Sequence, residues 1–473
     1  MMNEEKLCFM PACEIAELIK RREITSEEIT EITIERIKKI NPVINAFCTT
    51  TFELARVMAK EADKRIKNNE KIPLLNGIPT SIKDLVPVKG VRTTYGSKIF
   101  EHYIPEDDAE VVRRLKNAGC VILGKTNTPE FGHKGVTDNL IFGPTRNPWH
   151  LERTSGGSSG GAAAAIVSGL GHLAQGSDGG GSIRHPSCFC GTYGLKPSFG
   201  RVPMYPRLFI SGEDLSVVGP IVRYVSDAAL MLDAMKGPFE GDRFSLPEEN
   251  ESYFEQYNNI PDKLRIGYSL DLGIARVVHS EVEKAVIKSI EKLETYNWSI
   301  EKIKFKRSRI AEAFSTNWLI TFAYDLKPYL DNWEDKMDST LVQWVKAGLD
   351  LDASALPKAM KMRSEFYQKI YDGFKNYDIL ITPTTAVPAF ELGIPAPSTI
   401  EGKGVPPIGW QPFTFPFNFT GNPAASIPCG WSSEGTPIGM QIIGKRFQES
   451  LVLQVSKAFE DIAPWQDKKP AYI

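Results

Sequence analysis

The chain has 473 residues, 42% of them hydrophobic and 24% charged, so it can bury a large core as one big α/β domain or two, and it is neither disordered nor fibrous. Its formal net charge of −2 gives no electrostatic reason to expect nucleic acid or an anionic membrane surface as a partner, which points to small, roughly neutral molecules. No window offers the roughly 18 apolar residues that a membrane span needs.

In chain order, the N-terminal Met1-Met2-Asn3-Glu4-Glu5-Lys6 is acidic and lacks the apolar core that precedes a signal-peptide cleavage site. Thr25-Ser26-Glu27-Glu28 is a capping box, and the helix it opens carries Ile29, Ile32, Ile37 and Ile40 on one face. Asn41-Pro42 is expected to stop it. A helix over about 52–67 follows, then a strand over 78–84 that ends on Lys83 and is bracketed by Gly77 and Pro87. A helix over 109–117 leads into a strand over 120–124, and the alternation continues with a helix over 226–235, a strand over 264–268 and a capped helix from Ser280 with Glu283. The polar connection 237–261 reads as a long surface loop. The aromatic-rich segment 307–350, with Phe314, Trp318, Phe322 and Trp344, reads mostly as helix packing with a minor substrate-lining share, and 378–384 as a buried strand. Phe413, Phe415 and Phe417 alternate as in a strand with one aromatic face. Alternating strands and helices imply an α/β fold, a single large domain over 1–473 whose central mixed sheet is covered by helices on both faces.

Two glycine runs stand out: Gly156-Gly157-Ser158-Ser159-Gly160-Gly161, and Ser177-Asp178-Gly179-Gly180-Gly181-Ser182-Ile183-Arg184. Each precedes a segment that reads as a helix, so unpaired N–H groups converge on one spot suited to an anion. A phosphate is one reading, although neither a Walker-type lysine nor a G-x-G-x-x-G fingerprint is present. The transient oxyanion of an acyl transfer is another, with Ser182 as nucleophile and the N–H groups of Gly179, Gly180, Gly181 and Ser182 as the oxyanion hole. Ordinary close-packed turns are the third. None of the six histidines lies in a G-x-S-x-G elbow, and a histidine base is neither supported nor excluded. Asp178 and Arg184 flank the second run with opposite charges and either pair across it or face separate partners. Seven cysteines, an odd number without metal-ligand spacing, read as reduced thiols of a cytoplasmic protein, with Cys188-x-Cys190 packed on a helix. No ligand cluster suggests a metal, and no other cofactor is expected.

Ser81-Ile82-Lys83-Asp84 together with the two glycine runs resembles the amidase signature family of serine hydrolases, over nearly the whole chain. The resemblance implies a Ser-cisSer-Lys catalytic set: Ser182 as nucleophile, Ser158 as the bridging serine beside a cis peptide, Lys83 as base, and Ser159 as a supporting hydrogen bonder. It places the core motifs at about 75–200 and a variable, substrate-shaping region at about 300–420. It also makes Gly132 a candidate substrate neighbour. Gly179 departs from the threonine of many members, which keeps the N–H and removes a side chain. The stretch Trp410-Gln411-Pro412-Phe413 and its continuation to Gly430 resembles the general amidase branch rather than the glutamine-hydrolysing amidotransferase subunit, whose lead-in is more acidic. The resemblance thus implies a cofactor-free amidase that converts a small aliphatic or aromatic amide to a carboxylate through an acyl-serine. The amidotransferase subunit and a non-catalytic nucleotide-binding protein are the alternatives. The sequence does not set the oligomeric state; the resemblance allows a homodimer.

Overall fold

Eleven strands form one sheet, mostly short apolar runs between turn signals with an exposed polar edge strand at β8: β1 (Phe47–Thr50), β2 (Pro79–Lys83), β3 (Val121–Thr126), β4 (Leu173–Asp178), β5 (Tyr193–Lys196), β6 (Val217–Val222), β7 (Arg265–Tyr268), β8 (Ser299–Lys302), β9 (Ile379–Pro383), β10 (Ala424–Trp431) and β11 (Pro437–Gly444). The computed structural model describes residues 3–471; Met1, Met2, Tyr472 and Ile473 lie outside the described residues, and with them the first two residues of the N-terminal stretch and both ends of the 1–473 span. The strands lie in the order β1-β3-β2-β4-β6-β5-β10-β11-β9-β7-β8. β2 is parallel to both β3 and β4, while β4, β6, β5, β10 and β11 pair antiparallel in turn, so the sheet is mixed.

Successive side chains of a strand point to opposite faces, and the cores divide accordingly. Ile122, Leu173 and Val222 join an apolar cluster with the helices Ala12–Lys20, Val225–Met235 and Glu449–Ile462. Their strand neighbours Val121, Leu123, Ala174 and Ile221 join another with the helices Ser26–Ile44 and Gly160–Val167. Helices therefore cover both faces, as the alternation implies. At the other end of the sheet Leu380, Ala424 and Ile443 pack on Phe314, Phe366 and Phe415 in a third cluster.

Three local expectations are corrected. The helix Ser26–Ile44 runs through Pro42 and is ended by Asn45 at φ 53°. Pro42 forfeits one hydrogen bond, but the buried Ile40 and Ile44 hold the last turn, and Asn41 Oδ1 accepts from Ala46 N (2.8 Å) and Phe47 N (2.7 Å) to fold the chain beyond it. The helix Ser280–Leu293 is capped by the His279 ring, which accepts from Glu281 N at 3.3 Å, and not by a Ser280–Glu283 box. Phe413, Phe415 and Phe417 do not alternate on a strand. Phe415–Phe419 is a short helix with Pro416 in its first turn, and Phe415 stacks on Phe314 at 4.7 Å.

Candidate active site

The parallel strands β2 and β4 end side by side, and their carboxyl ends carry Lys83 and Ser177. Strand alternation sends Ile82 into one core and turns Lys83 to the opposite face, where the first glycine run lies. Lys83 Nζ donates to Ser158 Oγ at 2.7 Å and to Ser177 Oγ at 3.1 Å. The peptide Gly157–Ser158 is cis. That loop is pressed against its surroundings: a Cβ on Gly157 would lie 2.6 Å from the Val136 carbonyl carbon, so only glycine fits there. The alanines at 162–165 then let the helix Gly160–Val167 pack closely, all of it buried.

Three lysines, Lys83, Lys125 and Lys196, are completely buried among the described residues, and burial lowers the pKa of each. Geometry distinguishes them. Lys125 Nζ is held by Val86 O (2.6 Å) and Thr93 Oγ1 (2.8 Å), and Lys196 Nζ by Pro197 O (2.8 Å). Lys83 alone meets serine hydroxyls at the cavity; burial pushes its amine down to about 7, against the opposing pull of the Asp178 charge.

The second glycine run folds around Asp178. Its carboxylate accepts from Gly181 N (2.7 Å), Ile183 N (3.1 Å), Arg184 Nε (2.9 Å) and Arg184 Nη2 (2.8 Å), so Asp178 and Arg184 pair across the loop, both fully buried. Burial alone would raise the carboxyl, but the guanidinium outweighs it and holds Asp178 well below the usual range. Arg184 also donates to Thr414 O (2.8 Å), Gln441 Oε1 (2.6 Å) and Asn418 Oδ1 (2.7 Å). One expectation changes here. The Gly181 N–H is engaged by Asp178, which leaves Gly179, Gly180 and Ser182 as the loop's N–H groups for an oxyanion. Gly181 itself, at φ 138°, has the His185 ring where a Cβ would go.

The two runs are tied together. Ser159 N donates to Ser182 O (3.1 Å), and Ser159 Oγ donates to Ser177 O (3.3 Å). Ser182 is half-buried and lines, with Ser158, Ser177, Gly179, Gly180 and Gly132, a cavity of about 660 Å³. Gly132 adjoins Ser158: a Cβ there would lie 3.2 Å from Ser158 Oγ. Phe131, Phe209, Phe314, Trp318, Phe322 and Trp344 make the walls apolar. Both cavity histidines are committed elsewhere: His133 to Glu130 O (2.7 Å) and Thr340 Oγ1 (2.9 Å), and His185 Nε2 to Thr414 Oγ1 (2.6 Å). Burial keeps His185 neutral by pushing it down to about 3. Ser177 received no role from sequence reasoning although it lies in the second run. Its position opposite Lys83 follows only from the β2–β4 register. Thr414, Asn418 and Gln441, more than 200 residues from Arg184, carried no signal at all.

Serines, a buried amine and a glycine loop at the floor of an apolar cavity define a hydrolase of the acyl-transfer class. Residues 28–453 match the family described as Amidase, and the chain belongs to that family, the amidase signature enzymes. It is 37% identical to an acylamidase of Rhodococcus erythropolis over 477 residues, covering 99% of each chain. It is 38% identical to a glutamyl-tRNA(Gln) amidotransferase subunit of Caldanaerobacter subterraneus subsp. tengcongensis over 489 residues, 97% of each. The crystal structure of a bacterial aryl acylamidase of the amidase signature family superposes with a TM-score of 0.90 at 30% identity, covering 97% of each chain. The protein is an amidase, a hydrolase that cleaves amide bonds. Among the described residues no helix is long and apolar enough to cross a membrane.

Proposed function

We propose that the enzyme hydrolyses an uncharged amide with an apolar or aromatic acyl group, using Ser182 as nucleophile, Ser158 as proton bridge and Lys83 as base. The observation that carries the assignment is the hydrogen bond of 2.7 Å between Ser158 and a buried Lys83 whose amine titrates at about 7. Neutral Lys83 takes the Ser158 proton while Ser158 takes that of Ser182, and Ser182 Oγ bonds to the carbonyl carbon. The carbonyl electron pair moves onto oxygen, facing the N–H groups of Gly179, Gly180 and Ser182. As the C–N bond breaks, the proton returns through Ser158 to the leaving nitrogen. Water then repeats the attack on the acyl-serine, and the carboxylate departs. Ser177 positions the Lys83 amine and Ser159 joins the loops.

Glutamine hydrolysis is the second reading, favoured by the 38% identity to an amidotransferase subunit. Free glutamine brings an ammonium and a carboxylate, and the cavity's cations are already paired: Lys134 with Asp338 (2.6 Å) and Arg207 with Asp242 (3.3 Å). The apolar walls instead suit an uncharged acyl group. The free thiols of all seven cysteines support a cytoplasmic location.

The test is exposure of the protein to a fluorophosphonate, followed by intact-mass measurement and peptide mapping. One stoichiometric adduct on Ser182, lost in Lys83→Ala, is expected. No adduct on folded protein, or an adduct on another serine, overturns the assignment.

A further inference from the structure

The helix Ile310–Trp333 carries Phe314, Trp318 and Phe322 four residues apart, which places them in one row. The rings touch in sequence: Phe314 meets Trp318 edge-on at 5.9 Å, and Trp318 stacks on Phe322 at 5.2 Å. The row lines the cavity. Missing side chains are what let it approach. A Cβ on Gly180 would lie 2.6 Å from Phe314 Cζ, one on Gly179 2.8 Å from Trp318 Cζ2, and one on Gly212 2.8 Å from Trp318 Cη2. Carbon atoms normally rest about 3.5 to 4.0 Å apart, so none of these side chains could be added without displacing a ring. The edge of Trp318 thus occupies a slot between Gly179, in the loop leading to Ser182, and Gly212.

Around a carbonyl carbon held at Ser182, the oxygen faces the glycine loop and the leaving nitrogen faces Ser158, which returns its proton. The acyl group takes the remaining direction. Ser158 is bordered by Gly132 and Leu85: a Cβ on Gly132 would lie 3.2 Å from Ser158 Oγ and 2.8 Å from Leu85 Cδ1. Trp318 reaches instead from Gly179, three residues before Ser182, across to Gly212, which neither the oxygen nor the leaving nitrogen faces. We infer that Trp318, seated in the Gly179–Gly212 slot, closes the acyl side of the cavity and sets the largest acyl group the enzyme accepts. This rests on the amide-hydrolase reading above.

Two series of p-nitroanilide-type substrates test it, one varying the acyl group from acetyl to octanoyl on a single amine and one varying the amine on a single acyl group. In Trp318→Ala, the kcat/KM ratio of octanoyl to acetyl should rise at least about tenfold, the scale on which a pocket discriminates by methylenes, while the amine-series ratios stay as in the wild type. Trp318→Phe, which keeps the ring stack but withdraws the benzo edge, should lie between and serves if the alanine variant does not fold. Gly179→Thr should lose turnover on every acyl group, because its Cβ would lie 2.7 Å from Ser216 Oγ and 2.8 Å from Trp318 Cζ2, and should regain at least about tenfold when Trp318→Ala removes the ring and Ser216→Gly the hydroxyl. With the wild type active, unchanged acyl ratios in the Trp318 variants, or a shift confined to the amine series, overturn the inference alone. A wild type that turns over no anilide overturns the proposed function and this inference with it.

Discussion

With Lys83 as the proposed base, the state of its amine should govern the rate, and its titration can be followed directly. Lys83 has an ordinary value of 10.5 and burial brings it to about 7. At pH 7 about half of the molecules then hold it neutral, whereas an amine at its ordinary value would be neutral in only about one molecule in three thousand. Burial thereby enlarges the fraction able to accept the Ser158 proton by roughly three orders of magnitude. The sign is fixed: the reactive form is the unprotonated one, so kcat/KM should fall about tenfold per pH unit below about 7 and level off above it. The assay is amine or ammonia release from an amide that does not itself titrate, such as benzamide, between about pH 5 and 9. Lys83→Ala should lower the rate by about 10²- to 10⁴-fold at neutral pH, and by less at alkaline pH where hydroxide substitutes for the base. The same burial opposes folding, because the unfolded chain binds a proton that the folded one releases. Between the folded and unfolded values stability therefore rises with pH, and Lys83→Met should stabilise the protein at pH 7 while inactivating it. A flat profile across pH 7, or Lys83→Ala within tenfold of wild type, would refute the reasoning.

Two further outcomes are expected. Asp178→Asn removes the charge facing Arg184 and turns an amide N–H toward its donors, so it should cost about 3 to 5 kcal/mol in urea unfolding and most of the activity, with a smaller loss when Arg184→Gln is added; a change below about 1 kcal/mol would show that the pair does not hold the loop. Chelators should leave the rate unchanged, since no group of three or more His, Cys, Asp or Glu side chains among the described residues could hold a metal ion; inhibition reversed by zinc would overturn the lysine mechanism.

What the sequence revealed and what it concealed follow from the range of each interaction. The two glycine runs and the strand ending on Lys83 were legible as local patterns, whereas the resemblance to the amidase signature family joined Lys83 and Ser158 to Ser182; the structure brings Lys83 Nζ to Ser158 Oγ and lines the cavity with both serines. The capping box at Thr25 and Glu28 and the helix Phe52–Lys67 formed as read, since their signals lie within a few residues. Phe415 misled because its spacing from Phe413 and Phe417 fits a strand, while its conformation is decided by packing on Phe314, far earlier in the chain. The engagement of Gly181 N–H by Asp178 was hidden for a related reason: the spacing of the two residues does not reveal which way a peptide plane turns. Trp318 reads from its own segment as a helix-packing residue with only a minor substrate-lining share, because nothing there signals that Gly179 and Gly212 leave room for it.

The Arg184 contacts also order events during synthesis. Domains build from the N-terminus as the chain emerges, and Lys83, Ser158 and Ser182 are all present before half of it is made. Yet the arginine that shapes their loop needs Thr414, Asn418 and Gln441 as partners, the last of them 257 residues downstream. A ribosome-bound chain lacking those residues carries all three proposed reactive groups and an arginine without its partners. Hydrolytic activity is therefore expected only late in translation, once β11 takes its place between β10 and β9.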